Sequence, residues 1–407
     1  MQTRILYLVI FMCAAMTGSV HAQGSWVRMA DMPTARRWHS AVPVDGMIYA
    51  IGGHDGSKVV GTVEQYDPVT NSWTMKTDMP TPRGLFASCA VSGKIYVIGG
   101  YDGNKATSTV EEYDPVIDLW TKKRAMPTNR DIPSCCAVDG KIYVIGGGAL
   151  GKAYSMTEEY DPLADTWAVK SPMPTARFGL ATFVADGKIY AIGGADGMPP
   201  DTIFDAVEEY DPSTDTWAVK SPMPVARLGL TACVINDIIY VIGGGDGYRP
   251  KTYFSTIDKY DPVVETWLTE STLPDDRFIP PSCTVDNKIY VFGGEIYNDV
   301  HAEVFVYDPL WSSVEESSPT GFTLLRNYPN PFNPVTSIRY NLDQEGMVNL
   351  VIYDLLGRNV ATLVDEMKTQ GSHEVIWNAS GFASGVYFCR IKLNSSKVLT
   401  QKMMLMK

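Results

Sequence analysis

Histidine is scarce in this 407-residue chain, with 5 copies, and charged side chains make up only 20% of it. So few imidazoles leave little material for a metal centre built from several His ligands. Basic residues number 34 against 46 acidic ones, a formal net charge of −12. That deficit excludes the basic footprint nucleic-acid binding requires. The 7 cysteines show no Cys-x-x-Cys spacing, which removes the usual short metal and redox motifs. No Gly-x-Ser-x-Gly elbow stands beside a suitable His. Past the N-terminus, no apolar run approaches the ~20 residues a membrane-spanning helix needs. Apolar residues reach 45%, enough for a packed core and too many for a disordered chain.

The ends carry their own signals. Arg4 supplies a positive start, Ile5 to Met16 an apolar run, and Val20 and Ala22 the small residues of a cleavage site before Gln23. This is the pattern of a secretory signal peptide over 1–22. The remaining charge is uneven. From Phe322 onward there are 9 basic and 6 acidic residues, whereas 23–321 hold 24 and 40. Two blocks of different sign suggest two jobs.

The larger block is a repeat. Gly-Gly pairs begin at Gly52, Gly99, Gly146, Gly193, Gly243 and Gly293, and Tyr-Asp-Pro recurs at Tyr66, Tyr113, Tyr160, Tyr210, Tyr260 and Tyr307. A Trp lies seven residues after each of the first five Tyr. An Arg holds the same place in every unit: Arg36, Arg83, Arg130, Arg177, Arg227 and Arg277. Each unit has four short strand-like runs separated by turn residues and no helical period. Six such units describe an all-β, six-bladed β-propeller. The sixth unit lacks its Trp, and Val314 stands there. Trp26 precedes Gly52 by the same 26 residues that separate Trp73 from Gly99. The N-terminal strand is therefore expected to complete blade six, with the propeller spanning 23–309 and Trp311 falling in a linker.

This Gly-Gly, Tyr and Trp pattern resembles the kelch family. The resemblance implies that the loop-bearing face binds an acidic peptide, another protein or a glycan. The length differences agree, because units four and five carry three extra residues after their second strand, within Ala195–Ala206 and Gly245–Thr256. Loops on a rigid scaffold are where binding usually resides. The expected ligand face comprises Arg36, Arg83, Arg130, Arg177, Arg227 and Arg277, with Tyr101, Tyr248, Tyr253, Phe254 and Tyr297. Each Arg has two readings: a bond to blade-junction carbonyls, or a donor to an incoming carboxylate, sulfate or sugar hydroxyl. Some kelch propellers are enzymes, including copper-radical oxidases and a sialic-acid mutarotase. A sugar-active enzyme using the same face is thus the alternative, although His39, His54 and His301 are few and scattered. Glu111 and Glu112 are strand neighbours and point opposite ways. No catalytic residue, metal or cofactor is assigned. Cys89, Cys136, Cys233 and Cys283 share one inner-strand position, and separate blades should hold them beyond the ~7 Å a disulfide allows. They are read as small buried apolar groups.

Residues 310–321 form a Ser/Pro/Gly linker. Beyond it, 322–407 alternate in short runs that suggest a small immunoglobulin-like β-sandwich. The segments Tyr328–Pro334, Ile352–Asp354, Gly357, Gly371, Trp377, Ser384–Phe388 and Lys402–Lys407 resemble the C-terminal sorting domain of type IX secretion substrates. That resemblance implies the secretion machinery as a partner, and a surface or extracellular destination.

Overall fold

The computed structural model describes residues 25–197, 202–247, 252–297, 299–309, 322–324, 327, 334–355, 357–394 and 397–405. The expected signal peptide, the linker with Trp311, and Tyr248 lie outside these residues. Two compact units divide the chain, Met1–Ser313 and Val314–Lys407.

The first unit holds six sheets of four antiparallel strands each. Blade two consists of Ala87–Val91, Lys94–Ile98, Val110–Asp114 and Leu119–Lys122, from the axis outward. Its first hairpin turns at Ser92-Gly93, both with positive φ (51° and 75°). Asp45-Gly46, Asp139-Gly140, Asp186-Gly187, Asn236-Asp237 and Asp286-Asn287 do the same. Such turns match the right-handed twist of the strands they join, and they favour Asn, Asp and Gly. Second strands read as continuous apolar runs because they are covered on both faces; Ile95, Val97 and Ile98 are fully buried. Fourth strands are largely exposed, as in Thr166–Lys170.

Aromatic side chains join one blade to the next. Tyr49 meets Tyr113 at 5.9 Å between ring centroids, and Tyr143 meets Tyr210 at 5.8 Å. Trp120 Nε1 donates to the Thr77 carbonyl at 2.9 Å, while the Thr77 N–H donates to Asp118 at 3.0 Å. Asp118 also accepts the Tyr113 hydroxyl. The repeated Tyr, Asp and Trp thus act as one clamp on the preceding blade. The ring closes through Ser25–Arg28, which pairs with Val304–Asp308 and sets Trp26 opposite Tyr307, as Trp73 stands opposite Tyr66.

The second unit is a sandwich of a three-stranded and a four-stranded sheet. Its core holds Ile338, Leu350, Ile352, Trp377, Cys389, Ile391 and Met403. The strand Asn359–Lys368 is an edge of the four-stranded sheet, and its apolar residues are diluted by exposed polar ones. Asn327, buried, donates to Thr336 and accepts from Gln401, which ties the entry segment to two strands.

Candidate functional site

The six Arg do not form a ligand surface. All are buried, at 0–1% exposure. Arg177 shows why. Its guanidinium donates to the carbonyls of Gly193 (2.7 Å), Ala206 (3.0 Å) and Ala191 (3.3 Å), and to Glu208 at 2.7 Å. Its own carbonyl accepts the Gly147 N–H of the preceding blade at 3.0 Å. One residue therefore latches two blades. Arg36 pairs with Glu64, Arg83 with Glu111, Arg130 with Glu158 and Arg227 with Asp258 in the same way. Arg277 has weaker partners, Asp275 and Glu303, both partly exposed. Of the two readings of each Arg, the structure has the bond at the blade junction: five guanidinium groups pair with carboxylates and donate to carbonyls inside the wall, and none of the six is placed on a ligand face. The Gly-Gly pairs serve this latch. A Cβ on Gly146 would stand 2.5 Å from the Arg177 carbonyl, and Gly194 has φ +99°.

The opening on this side is built from the two residues that follow each Arg. Arg37-Trp38, Leu85, Asp131-Ile132, Phe178-Gly179, Leu228-Gly229 and Phe278-Ile279, with Tyr101 and Glu295, line a funnel of about 320 Å³. The first residue of each pair bridges to the residue after the Gly-Gly, as in Arg37 with His54 and Phe178 with Ala195. The second residue forms the neck. Five backbone bonds run from junction to junction: Leu85 to Trp38, Ile132 to Leu85, Gly179 to Ile132, Gly229 to Gly179 and Ile279 to Gly229. All six neck residues have positive φ, including β-branched Ile132 (50°) and Ile279 (49°). Such strain persists only where surrounding structure enforces it, and it concentrates at functional sites.

The funnel lining is mixed. Phe178, Leu228 and Phe278 belong to one apolar cluster. The polar lining is Arg37, Tyr101, Asp131 and Glu295, the last bridging to Phe278. Arg37 pairs with Glu295 at 3.2 Å and lies 4.5 Å above the Trp38 ring. Burial pushes the Asp131 carboxyl up to about 6.

A model of the KLHDC2/KLHL20/DRC7 Kelch-repeats domain matches residues 75–244, and the Kelch motif matches 35–80, 226–274 and 280–316. The Secretion system C-terminal sorting domain matches 326–406. The chain is a kelch-repeat protein with a type IX sorting domain. Mouse Kelch-like protein 8 and mouse Kelch-like protein 35 are each 38% identical to it over 47 residues, a stretch that is 12% of this chain and 8% of theirs. The solved structure of YjhT superposes with a TM-score of 0.61, covering 68% of this chain and 95% of YjhT at 19% identity. That likeness shows the fold.

The aromatic residues expected on the kelch face are dispersed. Tyr101 is in the funnel, its hydroxyl donating to Gly103. Tyr253 is buried, edge-on to Phe278 at 6.2 Å and beside exposed Tyr297 at 5.0 Å. Phe254 lies under the Arg227 guanidinium at 5.1 Å. Sequence reading missed the residues after each Arg. A usable signal was there: within a frame that repeats six times, these two positions change character from unit to unit, from Arg-Trp to Asp-Ile to Phe-Gly. Among the described residues, no group of three or more His, Cys, Asp or Glu is placed to hold a metal ion. Glu111 faces Arg83 while Glu112 faces Tyr96 and Lys94.

His39 occupies the channel position where other blades have Phe86, Pro133, Leu180, Leu230 and Pro280. Burial, with Arg36 nearby, holds its imidazole well below the ordinary value. The unfolded chain binds that proton near pH ~6.5, and the fold does not. Stability should therefore fall as pH drops below about 6.5, by up to ~1.4 kcal/mol per pH unit, and level off above it. Urea denaturation at about pH 5.5 and 7.5 should show this slope reduced in His39→Phe. Equal slopes in parent and variant would remove His39 as its source.

Proposed function

We propose that this protein is an exported recognition module that captures a protein or glycan partner at the channel mouth. The sorting-domain match indicates secretion to the cell surface or beyond. The observation that carries the binding reading is the funnel itself, a concave site with an apolar cluster, a few converging polar groups and a strained neck. Acidic peptides fit it poorly. The six repeat Arg are engaged in the wall, and the funnel's own charges are Arg37, Asp131 and Glu295. A ligand with hydroxyl or cationic donors and one apolar face is the better complement.

The test applies the full-length exported protein to glycan and peptide arrays beside Asp131→Asn and Tyr101→Ala. Asp131→Asn should lower affinity roughly tenfold or more, because a charge-assisted bond contributes ~1.5–3 kcal/mol. The same change should stabilise the fold at neutral pH. Ionised Asp131 is disfavoured there above its raised value of about 6, and removing it should gain about 1–2 kcal/mol after allowance for solvent screening. Binding unchanged by Asp131→Asn, or absent from a folded parent, would overturn this reading. The sugar-active alternative has one observation in its favour: a carboxyl titrating near 6 suits proton transfer. Chemical conversion of a bound sugar by the parent, lost in Asp131→Asn, would favour it.

A further inference from the structure

We propose that Cys89 and Cys135 are joined by a disulfide in the exported protein, stapling blade two to blade three. The equivalent cysteines share one register: Cys89, Cys136, Cys233 and Cys283 each stand opposite the second-strand Tyr of their own blade. Cys135 is one residue out of that register. Adjacent strand residues point to opposite sides, so where Cys136 faces onward to blade four, Cys135 faces back across the junction to blade two. Cys89 and Cys135 pack in one cluster with Tyr96 and Ile142, and their thiols are close enough to influence each other directly. Other junctions repeat the geometry with other residues. Phe183 and Ala232 share a cluster between blades four and five, and Cys283 and Ala41 share one between blades six and one. The crossing is thus a property of the ring, and only at this junction do both positions carry sulfur.

Both groups are thiols in the structure. Forming the bond removes two protons and two electrons, which reduce the disulfide of a thiol–disulfide oxidant to a dithiol. A protein exported with a sorting domain meets such oxidants outside the cytoplasm. The inference rests on export and not on the funnel. In the closed ring, contact with Cys89 and burial push the Cys135 thiol well up, which disfavours the reactive thiolate.

The test uses the full chain in two preparations: secreted material, and denatured reduced protein refolded with oxidised and reduced glutathione. Each is alkylated without reductant, digested and weighed. The expected result is a linked Cys89–Cys135 peptide that separates on reduction, absent in Cys135→Ala and retained in Cys136→Ala. Reducing the parent should lower its melting temperature on the order of 5–10 °C. Two alkylated thiols in both preparations, or a bond to Cys136 instead, would overturn the proposal. Ala41→Cys provides an independent check, because it sets a second thiol against Cys283. A second crosslink is expected, and its absence from a folded variant would overturn the junction geometry on which the proposal rests.

Discussion

Glu208→Leu is expected to cost the propeller about 3–5 kcal/mol, among the largest effects available from a single side chain. The reason is the charge left behind. Arg177 is fully buried, and desolvation is the main influence lowering its pKa, opposed by Glu208. Without Glu208 the guanidinium still has its three carbonyl acceptors but no counter-charge in a dry wall. At roughly 2–4 °C per kcal/mol for a domain of this size, thermal unfolding should move down by on the order of 10 °C. Two controls separate charge burial from lost packing. Adding Arg177→Met should recover part of the loss, since an unpaired charge costs more than an apolar replacement. Glu303→Gln, at the sixth latch, should cost no more than ~1 kcal/mol, because Glu303 is 27% exposed and 3.6 Å from Arg277. If Glu208→Leu and Glu303→Gln prove equally mild, the latch is not what holds the blades. The same reasoning makes the repeat Arg poor positions for probing ligand binding: their loss unravels the wall whether or not a ligand is present.

Removing the N-terminal strand should do still more damage. A chain shortened to begin at Ala30 lacks Ser25–Arg28, so Val304–Asp308 loses its outer partner and becomes an unpaired edge. Exposed edges of this kind template aggregation. The lost contacts include Trp26 against Tyr307 at 5.0 Å and against Phe305 at 6.4 Å. We expect the shortened chain to be largely insoluble, and its soluble fraction to lack cooperative unfolding. Trp26→Ala keeps the strand and should cost about 3 kcal/mol, the low end for a large aromatic because this ring is only half-buried. A shortened chain that melts like the parent would show that the other blades close the ring without this strand.

Several features were legible before any coordinates. Six recurrences of Gly-Gly, Tyr-Asp-Pro and Arg at near-constant spacing describe the four-stranded units, because each blade must solve the same packing problem with the same residues. The entry motif and basic tail of the last block resemble the sorting domain that the family comparison also finds. Asp, Asn and Gly at the hairpin turns matched the left-handed backbone found there. The site was less legible. The Arg ring drew attention because six equal charges stand out in an acidic chain, yet charge in a sequence says nothing about depth. Glu208 lies 31 residues from Arg177, and only folding makes them neighbours. Tyr253, expected on the ligand face, is buried against Phe278, because it bridges to Gly245 beside its blade's Gly-Gly pair.

Sequence alone determined the repeat, the strand order within each blade and the β-sandwich at the end. These follow from local turn chemistry and from the alternation of apolar and polar residues, which act over a few positions. Tertiary structure alone decided what each repeated residue does. Closing six units into a ring turns Arg177 inward onto Glu208, brings Asp131 and Phe178 to one funnel, and sets Cys135 against Cys89 rather than beside its own equivalents. Those meetings depend on the twist and stacking of whole blades, a property that no single unit carries in its own residues.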